Sequence, residues 1–134
     1  RIIYLMLDLR DSEKDIKKLV WRIEEWLILV LKELGISGYR IPGLIGVWVK
    51  DPINMNADGS RDKKIAALGL RVKKWVTFHG LSFNVDPDLG FFNNINPCGI
   101  SEKGVTSLKQ LGVEIIMDDV DLIFRRTFAT VFLK

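Results

Sequence analysis

A single cysteine, Cys98, stands between Pro97 and Gly99 in "NPCGISEKGVTSL" (96–108). One cysteine forms no internal disulfide, so this is a free thiol, suited to a reducing compartment. A lone thiol has two readings. It is a small buried hydrophobe, or it is a nucleophile whose pKa is lowered by a cation or by oriented N–H groups. The flanking residues bear on the second reading: proline fixes the chain before the sulfur, and glycine lets backbone approach after it. Lys63, Lys64, Arg71 and Lys103 are candidate cations, and spacing alone places none of them beside the sulfur. His79, the one histidine, is a second candidate base, although a lone histidine in a strand is more often structural. One Cys and one His at unsuitable spacing make no metal site. Asp118, Asp119 and Asp121 read as a helix start rather than a ligand cluster. No GxGxxG or Walker motif occurs, and no cofactor is expected.

These residues need elements to hold them. "IIYLMLDL" (2–9) is almost continuously apolar and reads as a strand buried on both faces. A helix signal follows from Ser12, with Asp15 as a partial capping box. Its stripe is Ile16, Leu19, Val20, Ile23, Trp26, Leu27, Val30, Leu31 and Leu34, and Gly35 ends it. Trp26 falls on that stripe and Trp21 at its margin. "RIPGLIGVWVK" (40–50) turns at Pro42-Gly43 into a short strand, and 51–62 reads as a loop or hairpin tip. "KIAALGLRV" (64–72) and "WVTFHGLSFNV" (75–85) read as two strands, the second changing phase at His79-Gly80, where a glycine marks a bulge or a close backbone approach. "TSLKQLG" (106–112) reads as a short helix, and Asp118 to about Phe132 as a longer one. The order strand, helix, several strands, helix predicts an α+β fold: a two-layer mixed or antiparallel sheet flanked by helices. Regular βαβ alternation is missing, which argues against a doubly wound dinucleotide fold.

The bulk numbers bound the partners. The chain has 134 residues, of which 48% are hydrophobic, enough for one domain (1–134) with a real core. The six-residue apolar run 2–7 is too short for a bilayer span or a signal peptide, so a soluble, cytoplasmic protein is expected, organellar if eukaryotic. Twenty basic and 17 acidic residues give a net charge of +3. That mild excess suits an encounter with an acidic protein. The short basic clusters read as solvated faces, and no nucleic-acid partner is expected.

The segments "GVWV", "KIAALGLRV", "HGLSFNV", "PCGI" and "GVTSL", in this order between residues 43 and 108, resemble the octanoyltransferases of lipoate biosynthesis. The likeness extends more weakly over the N-terminal strand and helix. It implies a biotin/lipoate protein ligase-like fold and an acyltransferase that moves an octanoyl group from acyl carrier protein to a lysine of a lipoyl domain. The acceptors implied are the lipoyl domains of 2-oxoacid dehydrogenases and the glycine cleavage H protein, and a monomer is expected. By this resemblance the acyl-thioester cysteine falls on Cys98 and the catalytic lysine on Lys64. Segments that cradle the acyl chain fall on Ala67, Leu68 and Gly69 and on Gly80, Leu81 and Ser82. A motif of the type "RGGxxTYHGPGQ", which in that family lies just before the first strand, does not occur. The domain is therefore expected to be N-terminally incomplete. Two alternatives follow. One is an inactive truncated relative that only binds lipoyl domain or acyl carrier protein. The other, an ATP-dependent relative acting on free lipoate, is disfavoured by "PCGI" and by the lack of an adenylate-binding signature.

Overall fold

The computed structural model describes residues 1–10, 14–87 and 103–133. Helix α1 (Ile16–Glu33) begins one residue after Asp15, whose carboxylate accepts the Lys18 N–H at 3.1 Å. The cap is thus Asp15 and not Ser12, which lies outside the described residues. The helix ends as its composition requires: Gly35 adopts φ 78°, and its N–H returns to Lys32 O at 3.0 Å. Helix α2 (Met117–Phe132) carries Asp118 and Asp119 in its first turn, where they complement the helix dipole.

Among the described residues, seven strands form two sheets: β1 (Ile2–Tyr4), β2 (Tyr39–Ile41), β3 (Leu44–Lys50), β4 (Asp62–Leu68), β5 (Arg71–Lys73), β6 (Val76–Phe78) and β7 (Gly80–Phe83). The main sheet has the order β1-β7-β4-β3-β2 with every named pair antiparallel, and β5-β6 is a separate hairpin. Each of the two expected strands, 64–72 and 75–85, is broken in two. The first stops at Leu68 and resumes at Arg71; the second breaks at His79, which adopts φ 62°. The first strand also corrects its expectation. It is three residues long, lies at an edge, and leaves Ile2 63% and Tyr4 69% exposed. Residues 108–112 form hydrogen-bonded turns in place of a helix.

One core joins the two layers. Ile23, Trp26, Leu27, Val30 and Leu31 of α1 and Val120 and Phe124 of α2 meet Val47, Val49, Ala66, Leu81 and Phe83 of the sheet. Trp26 is the hub, with edge-to-face contacts to Phe124, Phe128 and Phe132 at centroid distances of 5.2, 5.3 and 5.7 Å. Its indole N–H is satisfied by Thr127 Oγ1 at 2.9 Å. Trp21, at the stripe's margin, is instead exposed beneath the Arg40 guanidinium. With one face covered by helices, strand alternation sends the intervening residues to the other face. That outer face is where the chemistry-bearing residues gather.

Candidate active site

Strand β4 sets the site. Ala66 and Leu68 pair with Phe83 and Leu81 and turn toward the helices, whereas Ala67 pairs with Ser82, which pairs in turn with Ile2. Ile2, Ala67 and Ser82 therefore share the outer face. Together with Leu68, Gly69, Gly80 and Leu81 they line a depression of about 270 Å³, close to the small end of ligand pockets, roughly 300 Å³. The six residues expected to cradle an acyl chain are thus brought together, joined by Ile2, which sequence reasoning did not single out. The two glycines have separate reasons. A Cβ on Gly80 would lie 1.7 Å from Ile3 O, so only glycine lets β1 pair here. The Gly69 N–H is committed to Gly80 O at 2.7 Å and closes the mouth of the β5–β6 hairpin.

Lys64 pairs across the sheet with Trp48 and belongs to the same outer face. It is 6% exposed, and its Nζ lies 5.1 Å from the Trp48 ring centroid. The register between β3 and β4 shifts at this point: Val47 opposes Ala66 but Trp48 opposes Lys64, leaving Ile65 as the extra residue of a bulge. Gly46, at φ 126°, lies beside it. Its N–H donates to Glu24 Oε2 of α1 at 3.0 Å, and a Cβ there would meet Ala66 O at 2.8 Å and Lys64 Cε at 3.1 Å. The helix layer thus grips the bulge that carries the Lys64 stem. Glu24 is buried, and Arg40 approaches its Oε1 at 3.3 Å. It escaped sequence reasoning because it resembles a surface charge. The signal was nonetheless present: Val20, Glu24, Leu27 and Leu31 follow helical spacing, placing a carboxylate on the apolar stripe.

Cys98 lies outside the described residues. The described chain on either side of it converges on Lys64. Upstream, the Asn84 N–H bonds Ile65 O at 3.0 Å. Downstream, Lys64 N donates to Gly104 O at 3.0 Å and Thr106 N donates to Lys64 O at 2.9 Å, making a parallel bridge between Lys64 and Val105. Thr106 Oγ1 is buried there without a hydrogen-bond partner among the described residues. The loop 51–61 anchors the downstream side. Gly104 N–H donates to Asn56 Oδ1 at 3.1 Å, and Lys103 Nζ donates to Asp58 Oδ2 at 2.8 Å and Ser60 Oγ at 2.9 Å.

Of the other candidate cations, Lys63 lies at this point, its Nζ 2.9 Å from where a Cβ on Gly104 would stand, and Lys103 beside it is neutralised by acids of the neighbouring loop. Lys103 has Asp58 and, at 3.6 Å, Asp62 as counter-charges, and its ammonium is held above the ordinary lysine range chiefly by the Asp58 hydrogen bond. Asp58 and Asp62 are both held below the ordinary carboxylate range, the first chiefly by Lys103 and the second by Lys50, then Tyr39. The Tyr39 hydroxyl, hydrogen-bonded to Asp62, is pushed upward chiefly by burial. Arg71 is exposed on the hairpin. His79 is exposed and lies against Phe78, 4.9 Å between centroids. Among the described residues no group of three or more His, Cys, Asp or Glu could hold a metal ion, and no helix is long and apolar enough to cross a membrane.

The described residues thus form a helix-backed antiparallel sheet with a buried lysine and a small-residue depression on its outer face. Solved structures agree on the fold. The bipartite lipoate protein ligase of Thermoplasma acidophilum superposes with a TM-score of 0.69 at 17% identity, over 98% of this chain and 50% of that one. The biotin protein ligase of Aquifex aeolicus gives 0.69 at 15% identity, over 99% and 52%. Residues 1–129 match the lipoyl protein ligase A/B catalytic domain, and the chain belongs to that family. Relatives named octanoyltransferase include those of Dinoroseobacter shibae, 47% identical over 98% of this chain and 61% of that protein, and Rhizobium etli strain CIAT 652, 50% identical over 98% and 56%. The chain thus spans about three fifths of the length of these relatives.

Proposed function

We propose that this chain is the octanoyl-transferring part of an octanoyltransferase in lipoate biosynthesis, acting through a Cys98 acyl-enzyme. The observation that carries the reading is the shared outer face. Lys64, the depression lined by Ala67, Leu68, Gly69, Gly80, Leu81 and Ser82, and the re-entry of the chain at Gly104 all lie along β4. Cys98 is six residues from Gly104, a span of at most about 21 Å even when extended. Lys64 and Ala67 are three positions apart along β4, roughly 10 Å.

In the first step the Cys98 sulfur attacks the carbonyl of an octanoyl thioester on acyl carrier protein. The new thioester forms, the old C–S bond breaks, and Lys64 carries the cysteine proton to the departing carrier thiol. In the second, a lipoyl-domain lysine amine attacks the acyl-enzyme. An amide forms, the Cys98–carbon bond breaks, and the amine proton passes through Lys64 to the released sulfur. Burial of the acyl chain contributes about 0.8 kcal/mol per CH₂.

The test is intact mass after incubation with octanoyl-acyl carrier protein. One octanoyl group is gained, and the gain is lost in Cys98→Ser. Carrier bound without any adduct would overturn the reading in favour of a binding-only relative. Lys64→Ala moves the pH profile of Cys98 alkylation by iodoacetamide upward; an unmoved profile removes Lys64 from thiol activation.

A further inference from the structure

The β5–β6 hairpin stands on the depression. Its two roots, Gly69 and Gly80, both line it and are joined by the 2.7 Å bond between them. Pairing of Arg71 with Phe78 and of Lys73 with Val76 puts these four side chains on one face, while Val72 and Thr77 take the other. Thr77 is buried and fixes the hairpin to the chain beside it, donating to Leu5 O at 2.7 Å and accepting from Leu7 N at 2.7 Å. The four-residue face is open to solvent, with Val76 37% and Phe78 40% exposed. It therefore offers two cations beside two apolar side chains, and exposed Lys74 adds a third cation at the tip. The charge is unbalanced along the chain: from Lys63 to Val85 there are five Lys and Arg and no Asp or Glu. Asp8 bridges to Val76 from outside the hairpin, but its carboxylate is held by Arg10 at 2.5 Å.

The tip is strained. Lys74 and Trp75 occupy φ 51° and 63°, where a two-residue hairpin turn ordinarily takes Asn or Gly. Trp75 answers to packing. Its ring lies against the core, and its carbonyl accepts from Leu9 N at 2.7 Å. Lys74 has no such duty and remains exposed. Strain retained at an exposed cation points outward, to something the cation meets.

We propose that the β5–β6 hairpin is the docking platform for the acidic acyl carrier protein, received on Arg71, Lys73 and Lys74 with Val76 and Phe78 as the apolar contact. The inference rests on the transfer reaction proposed above and adds to it the surface that receives the donor. Opposite charge steers such encounters and acts mainly on the association rate. A carrier seated on the hairpin has its thioester beside the depression at the hairpin's roots.

The experiment uses the full-length protein and two octanoyl donors, octanoyl-acyl carrier protein and octanoyl-N-acetylcysteamine, the second lacking any protein surface. In the triple variant Arg71→Gln/Lys73→Gln/Lys74→Gln, kcat/KM for the carrier falls about tenfold relative to the small thioester, and its salt dependence flattens. Lys74→Gly guards against a folding artefact. It removes the cation while relieving the positive φ, so the thermal midpoint holds or rises while the carrier-to-small-thioester ratio falls. An unchanged ratio in both variants overturns the proposal, as does a loss confined to the lipoyl-domain step. If the wild type accepts neither donor, the transfer reading fails separately. The platform is then judged by titrating octanoyl-acyl carrier protein onto both proteins, and equal affinity for wild type and triple variant overturns it.

Discussion

Gly46→Ala tests how firmly the helix layer holds Lys64. At φ 126° an alanine is strained, a cost of order 1–3 kcal/mol. Its methyl would also lie 2.8 Å from Ala66 O and 3.1 Å from Lys64 Cε. The lysine stem can yield, but the carbonyl oxygen belongs to the ladder and cannot move without opening the bulge. Overpacking of this kind adds about 1–3 kcal/mol. The total, roughly 2–6 kcal/mol, is a large fraction of a domain's stability. Gly43→Ala is the control. It too sits at positive φ, 82°, but has nothing within 4 Å of its added carbon, so it carries conformational strain alone. Urea denaturation of the two variants isolates the contact. Gly46→Ala unfolds at clearly lower urea, and the Cys98 acylation proposed above slows beyond that of Gly43→Ala. Equal urea midpoints and equal acylation rates would refute the claim that Gly46 is small because Lys64 and Ala66 need the space.

Two further outcomes follow from the same region. Glu24→Ala leaves the buried Gly46 N–H without its acceptor, a loss of about 1–3 kcal/mol, whereas Glu24→Gln keeps an oxygen there and loses less; equal denaturation midpoints for the two variants would contradict this. Asp62 has its carboxyl held below the ordinary range by Lys50 and Tyr39, so its contribution is present above the unfolded pKa, about 3.9, and is lost as pH falls below it. Calorimetry from pH 5 to pH 2 therefore shows a falling thermal midpoint that Asp62→Asn flattens, and a fall of the same steepness in the variant would refute the assignment.

Periodicity served best where one face decides. The stripe from Ile16 to Leu34 reads as a helix because a single apolar line faces a single sheet, and Trp26 falls at its centre. It misled where a strand breaks within an apolar run. The breaks inside the two expected strands fall at Gly69-Leu70 and at His79, the latter taking positive φ in the place of Gly, Asn or Asp, so four strands read as two. The run 2–9 reads as a strand buried on both faces because apolar residues there alternate between the core and an open edge, and composition does not distinguish the two environments.

The candidate site entered through the resemblance, which placed the acyl-cradling segments on Ala67, Leu68 and Gly69 and on Gly80, Leu81 and Ser82, and the residue types there bear on it. "AALG" and "HGLS" stand out as small residues inside strand patterns, and small residues survive in a sheet where something must come close. At Gly80 that something is the backbone of β1, and at Gly46 it is the lysine stem. At Ala67 and Ser82 the outer face remains an open depression, with no side chain of the described residues filling it. Packing by the chain itself therefore accounts for two of these close approaches, and the third, on the same strand as a buried lysine, is where the proposed reaction would seat its acyl chain. Enlarging Ala67 separates the two cases. Ala67→Leu on this open face has room to fold, whereas an acyl chain competing for that room is excluded, so acylation by octanoyl thioesters falls while the urea midpoint stays near that of the wild type. Retained acylation at wild-type rate would place the acyl chain elsewhere.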